Sequence, residues 1–174
     1  VGLNGYLATF HQTFDKRAAE LGVKVVTLDA QVDPARQAQQ IPSLISQKVD
    51  VAIVWPVNST AILPSLKQLK AAGIPVLNVN TRVDKAGEDD IVAFTGPNDY
   101  EEAKVAGKLM IDALGGKGNV VVITGLPGYS VTQYRIDGFM DAIKDHPDIK
   151  VLDTQPADWS QEKAQTLTEN FITR

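Results

Sequence analysis

Two histidines and no cysteine stand in the 174-residue sequence, so the commonest nucleophiles, general bases and soft metal ligands are almost missing. His11 falls on the polar side of a helical repeat, and His146 precedes Pro147 in a turn. Neither has a partner at triad or metal-ligand spacing, and both read as solvated. Glu88-Asp89-Asp90 could bind a metal or donate a proton, but no second carboxylate cluster answers it, so it reads as a solvated loop. The lack of Cys excludes disulfides, thiolate chemistry and Cys-ligated metals. Gly125-Leu126-Pro127-Gly128-Tyr129-Ser130 sits where a phosphate loop would. It lacks the lysine of G-x-x-x-x-G-K-[ST], the spacing of G-x-G-x-x-G and the G-x-S-x-G elbow. Its glycines read as serving a tight turn and a close approach of ligand or backbone. No catalytic residue, metal site or cofactor is expected from these groups.

What remains is a different kind of chemistry. Asp29-Ala30-Gln31, Trp55-Pro56-Val57-Asn58, Asn80-Thr81-Arg82, Gly125–Ser130 and Asp158-Trp159 offer aromatic rings, amides, a carboxylate and a guanidinium. A sugar hydroxyl both donates and accepts, which such groups satisfy, while the apolar face of a sugar ring stacks on an aromatic. The mixture suits a neutral polyhydroxyl ligand.

These segments are placed by an alternation of helices and strands. Phe10, Phe14, Ala18 and Leu21 recur at helical spacing and Gly22 ends that helix. Val23–Leu28 reads as a buried strand. Asp33-Pro34 opens a helix to about Lys48, with a kink or restart expected at Pro42. Val51–Val54 and Pro75–Val79 are strands flanking a helix capped by Ser59 or Thr60. After a polar loop, Thr81 to Asp90, Ile91–Phe94 is a short strand. Asp99-x-x-Glu102 and Ser130-x-x-Gln133 read as capping boxes of two helices, with the strand Asn119–Thr124 between them. Ile149–Leu152 is a strand, and a last helix runs from Ser160 to about Thr173. Apolar strands taking turns with helices predict an α/β fold, with doubly wound parallel sheets covered on both sides. In such sheets ligands bind beyond the carboxyl ends of the strands, where the polar and aromatic segments fall.

Composition narrows the possible partners. With 44% hydrophobic residues the chain can bury a core. Seventeen Lys and Arg against 21 Asp and Glu give a net charge of −4, and no basic cluster is present to meet a phosphate backbone, so nucleic acid is not an expected partner. No apolar run is long enough for direct membrane insertion.

Several segments, in order, resemble one family. They are Ala19–Asp29 (AELGVKVVTLD), Leu44–Val54 (LISQKVDVAIV), Ala72–Asn80 (AGIPVLNVN), Asn98–Gly107 (NDYEEAKVAG), Tyr134–Phe139 (YRIDGF) and Gln155–Trp159 (QPADW). Their order and spacing look like the periplasmic sugar-binding proteins of ABC importers, the ribose-binding-protein-like group with the type I periplasmic binding fold. The resemblance implies two Rossmann-like α/β lobes that close over one small ligand. It places an N-terminal lobe at residues 1–95, with its first strand largely missing, and part of the C-terminal lobe at 96–174. The chain thus resembles an N-terminal portion of such a protein, with the second lobe incomplete.

The resemblance also lends roles to particular residues. Asn4 and Tyr6 fall where the family has an Asn and an aromatic that touch the sugar. Asn80 and Thr81 fall where ribose binders carry an Asp-Arg pair; its loss argues against ribose itself, while Asn80 can still bond hydroxyls. Arg135 matches the Arg of R-x-x-G-F, which reaches ring or hydroxyl oxygens, and Trp159 matches a stacking aromatic. Trp55 joins the set from its place at a strand end alone. Each has a second reading: Trp159 as a core residue against the last helix, Arg135 as a surface ion-pair partner, Trp55 and Tyr6 as packing residues.

The implied function is an extracytoplasmic, periplasmic solute-binding protein without enzymatic activity. It would capture a monosaccharide or polyol between its lobes and deliver it to a membrane ABC permease. The effector-binding domain of a LacI-like regulator shares the fold and is the alternative. A flavodoxin-like or Rossmann enzyme is a third reading, to be told apart by turnover.

Overall fold

A computed structural model describes residues 5–173. Its helices begin and end where short-range chemistry says they should, with instructive exceptions. The first helix, α1 (Gly5–Glu20), ends before Gly22, whose φ of 68° is left-handed. The second, α2 (Pro34–Ser46), is capped by Asp33, whose side chain accepts from the amides of Ala35 and Arg36. It runs through Pro42 as one helix, so of the kink or restart expected there the restart does not occur. The strand β1 (Ala52–Val54) leads to α3 (Leu63–Ala71). Neither Ser59 nor Thr60 is the cap of α3. Asn58 closes the turn before that helix instead, accepting from the amides of Thr60 and Ala61 at 3.0 and 2.8 Å.

The strand β2 (Val76–Val79) follows, and the polar loop after it contains a 3₁₀ turn, Lys85–Asp90, that the sequence reading missed. Next come β3 (Ala93–Thr95) and α4 (Asp99–Leu114). The cap of α4 is Asn98, accepting from Glu101 N, so Asp99 is already helical and is not the cap of a capping box. The rest of the chain is β4 (Gly118–Thr124), α5 (Ser130–Ile143), β5 (Ile149–Pro156) and α6 (Gln161–Ile172). The cap of α5 is Tyr129, without a side-chain bond; Gln133 bonds Asp137 within the helix rather than reaching back. Ser160 caps α6 as expected.

Contacts divide the chain into two units. The first holds the residues up to Val79 together with Val83–Phe94; the second holds Asn80–Arg82 and Thr95 onward. In the first, the sheet order is β1-β2-β3, with β1 and β2 parallel, Ala52 opposite Val76. Its core gathers Ile41, Ala52, Val54, Ile62, Leu66, Leu69, Ile74, Val76 and Val83. Leu66 and Leu69 have no exposed surface, and complete burial stabilises such a side chain by about 1.5–3 kcal/mol. Asn78 is also wholly buried; its Nδ2 donates to Val54 O, and its Oδ1 accepts from Val83 N, tying β1 to the loop beyond β2.

Val23–Leu28 departs from expectation. It forms no strand among the described residues, and Val23 and Val26 are exposed. A strand exists only where a neighbour takes up its backbone groups. Among the described residues its ends are fastened, Val23 N donating to Ala18 O and Asp29 O accepting from Gln40 Nε2.

In the second unit, β4 and β5 pair in parallel, with a register shift between Val120 and Val121. Ala103, Phe139, Ile143 and Ile149 form the core beneath them. Cover over these strands is uneven: Val120, Val122 and Val151 pack against that core, whereas Val121 and Leu152 are exposed. The helices α4 and α5 approach closely because Gly107 and Gly138 face them. A Cβ on Gly138 would lie 2.1 Å from the Tyr100 carbonyl oxygen, and one on Gly107 2.5 Å from Ala142 Cβ. The glycine of R-x-x-G-F is therefore a packing residue.

Candidate functional site

In the first unit, the end of β1 carries Trp55 into a cluster of rings on α1. Tyr6 meets Trp55 edge-on at 6.0 Å between centroids, and Phe10 does so at 5.2 Å. Such T-shaped pairs set the negative ring face against the positive edge. Tyr6 is still 62% exposed and Trp55 half-buried, so both packing and ligand contact are open to them. Gln37, which sequence reasoning did not single out, fixes this corner. Its Nε2 donates to Trp55 O at 2.8 Å and its Oε1 accepts from Val57 N at 2.9 Å, mimicking a strand partner for the chain beyond β1. Asn4 lies outside the described residues. An open groove between α1 and the segment that follows it, lined by Asp15, Ala18, Ala19, Val23, Val25 and Thr27, contains none of the candidate residues.

In the second unit, Asn80 follows β2 with a left-handed φ of 59°, its amide donating to Thr95 O at 2.8 Å. Thr81 is buried, at 4% exposure. Asn tolerates the left-handed region better than most residues, since its short amide bonds locally.

Arg135 and Trp159 come together. The guanidinium carbon lies 5.9 Å from the Trp159 ring centroid, within cation–π range. Arg135 Nε donates to Asp99 Oδ1 at 2.9 Å and Nη2 to Glu102 Oε2 at 3.1 Å. Its Nη1 makes no hydrogen bond among the described residues. Arg135 is thus an ion-pair partner with one edge still open, so the two sequence readings are compatible. Burial pushes the Asp99 carboxyl above its ordinary value, and the adjoining Arg135 opposes that rise.

Trp159 is held by a strained turn. Ser160 N donates to Ala157 O, and both residues between, Asp158 (φ 54°) and Trp159 (φ 60°), are left-handed. Two such non-glycine residues in succession cost on the order of 1–3 kcal/mol each, and strain of this kind is kept where a side chain must be aimed. Ala157 N donates to Thr124 O and Lys163 pairs with Asp158 at 2.7 Å, pinning the turn at both ends. The ring lies flush over Gly125, where any Cβ would come within 2.1 Å of Cζ2. The glycine loop therefore makes room for an indole rather than a phosphate; only Gly128, at φ 81°, answers to turn geometry. The nearby Tyr129 hydroxyl is buried without a hydrogen bond among the described residues, and burial raises its pKa.

The periplasmic binding protein domain model matches residues 2–174. The chain belongs to that family. Among relatives of the periplasmic binding protein family, it is 32% identical over 170 residues to a xylitol-binding protein of Mycolicibacterium smegmatis, covering 98% of this chain and 48% of the relative. It is 29% identical to a ribose import binding protein of Bacillus subtilis, covering 97% and 54%. A solved structure of a galactofuranose-binding protein superposes with a TM-score of 0.93 at 29% identity, over 99% of this chain and 58% of the other. The chain spans about half the length of the curated relatives it matches.

Asp99, Glu102 and Gly125 escaped sequence reasoning as parts of this arrangement. The first two were read as a capping box and the third as loop glycine. Carboxylates one helical turn apart, facing an Arg on the next helix, were the signal that could have found them.

Proposed function

We propose that this chain is the sugar-recognising part of an extracytoplasmic solute-binding protein. That protein captures a monosaccharide or polyol without altering it chemically and hands it to a membrane ABC permease. The observation that carries the reading is the Arg135–Trp159 pair: an apolar ring face beside a guanidinium with an unoccupied Nη1. A sugar asks for both, stacking its C–H face on the indole and accepting from the arginine. Asn80 and Thr81 in the same unit, and Tyr6 and Trp55 in the other, contribute further contacts, as does Asn4. Relatives named for xylitol, ribose and galactofuranose support the ligand class, and their family supports a periplasmic location.

The test is a thermal-shift and calorimetric screen of the full-length protein carrying this chain against pentoses, hexoses and polyols. A ligand at about 100 times its Kd stabilises by about 2.7 kcal/mol, which a melting curve resolves. A flat response to every sugar and polyol, with a shift from a nucleotide or amino acid, would overturn the reading.

A further inference from the structure

We propose that Asp99 and Glu102 set both the aim and the charge of Arg135, so that the second unit offers hydrogen-bond donors without net positive charge. It would then select uncharged hydroxyl-bearing ligands over carboxylate- or phosphate-bearing counterparts. The inference deepens the sugar-or-polyol reading and rests on it.

The geometry is specific. Both carboxylates stand in the first turn of α4, on the side facing α5, and each takes a different guanidinium nitrogen. Asp99 has a side chain only 5% exposed and acts as the fixed member; Glu102, at 58%, completes the clamp from the solvent side. Two anions on one cation leave the group with a formal charge of −1. An isolated Arg is a good carboxylate and phosphate binder because its fork carries an uncompensated charge. Here that charge is already answered, and an anion approaching Nη1 meets two carboxylates behind it. Like-charge juxtaposition of this kind rejects wrong partners. A hydroxyl meets no such repulsion and still gains the Nη1 donors.

Two lysines of this unit already have carboxylate partners. Lys163, beside the Trp159 turn, is paired with Asp158, and Lys104 on α4 is paired with Asp141. Trp159 presents its ring to the same guanidinium, with the guanidinium carbon 5.9 Å from the ring centroid.

The experiment is calorimetric titration of the full-length protein with ribose, xylose and galactose against ribonate, xylonate and galactonate, and with xylitol against xylitol 5-phosphate. Each is run at low and at high salt. The unaltered protein is expected to prefer the neutral member by about tenfold or more, equivalent to about 1.4 kcal/mol. Glu102→Gln should narrow that preference by about three- to tenfold, the gained anion affinity fading with salt as screening predicts. Asp99→Asn should narrow it further and also weaken the neutral ligand, because the aim of Arg135 is lost. Glu102 is exposed, so its variant decides the matter even if Asp99→Asn fails to fold. An unaltered protein that binds aldonates as tightly as aldoses overturns the inference. So does a Glu102→Gln variant with an unchanged neutral-to-anion ratio. If no member of the panel binds, the sugar reading itself fails and takes this one with it; neutral binding with a flat ratio sinks only the charge argument.

Discussion

Arg135 and Trp159 are held face to ring, 5.9 Å apart, by restraints that come from different elements. The guanidinium is aimed by Asp99 and Glu102 of α4, whereas the indole is aimed by a left-handed turn and by the bare backbone of Gly125. Neither side chain relies on the other for its position, which is what pre-organised recognition requires.

Trp159→Ala should weaken a responding sugar by about tenfold or more, since an aromatic contact is worth about 0.5–1.5 kcal/mol beyond its buried area. Trp159→Phe should recover part of the loss, because a smaller ring still offers a face. Titration calorimetry on both variants checks this, and equal affinity in all three proteins would contradict it.

Gly125→Ala should act through the indole. A Cβ there meets Trp159 Cζ2 at 2.1 Å and must displace the ring. In the otherwise unaltered protein, ligand affinity should fall about as far as in Trp159→Ala. In the Trp159→Ala background the same change should add little, because the obstructed group is gone. A double-mutant cycle measures that non-additivity, expected at about 0.5–3 kcal/mol for residues in contact.

Gly138→Ala should strike stability. Its new methyl would lie 2.1 Å from the Tyr100 carbonyl oxygen, a rigid backbone group, so α4 and α5 must separate. Overpacking of this sort costs about 1–3 kcal/mol, readable as a lower denaturation midpoint. Gly115→Ala gives a contrast, since its strain would come from a left-handed φ of 62° with open space around the Cβ.

Asp141 should make stability sensitive to acid. Hydrogen bonds from Lys104, Lys144 and Tyr100 hold its carboxyl well below the usual carboxylate range. The folded protein therefore keeps the charge where the unfolded chain, with a carboxyl pKa of about 3.9, has taken up a proton. The group's contribution is present above that value and is lost as pH falls below it. Asp141→Asn should lower Tm at pH 7, with the gap closing as the pH is lowered below about 4. A gap of the same size at acid and neutral pH would show that charge is not the cause.

Much of this was open to reading from residues alone. Asp33-Pro34 and Ser160 marked helix starts because capping chemistry is local. The left-handed Gly22, Gly73 and Gly115 marked helix ends for the same reason. Other marks misled. Asn98 and Asp99 are both plausible caps, and only the backbone angles at Asn98 decide between them. Val23–Leu28 has the composition of a strand, but pairing is a property of two segments, and one segment's composition cannot supply its partner.

The sequence by itself determined the alternating α/β order, the segments at the strand ends and the nature of the groups there, because periodicity, capping and side-chain chemistry are carried by near neighbours. Tertiary structure alone decided that Arg135 meets Asp99, Glu102 and Trp159, and that Gly125 exists for the sake of an indole. Those contacts join residues far apart in the chain, and only helix packing and strand pairing bring them within hydrogen-bonding or van der Waals reach.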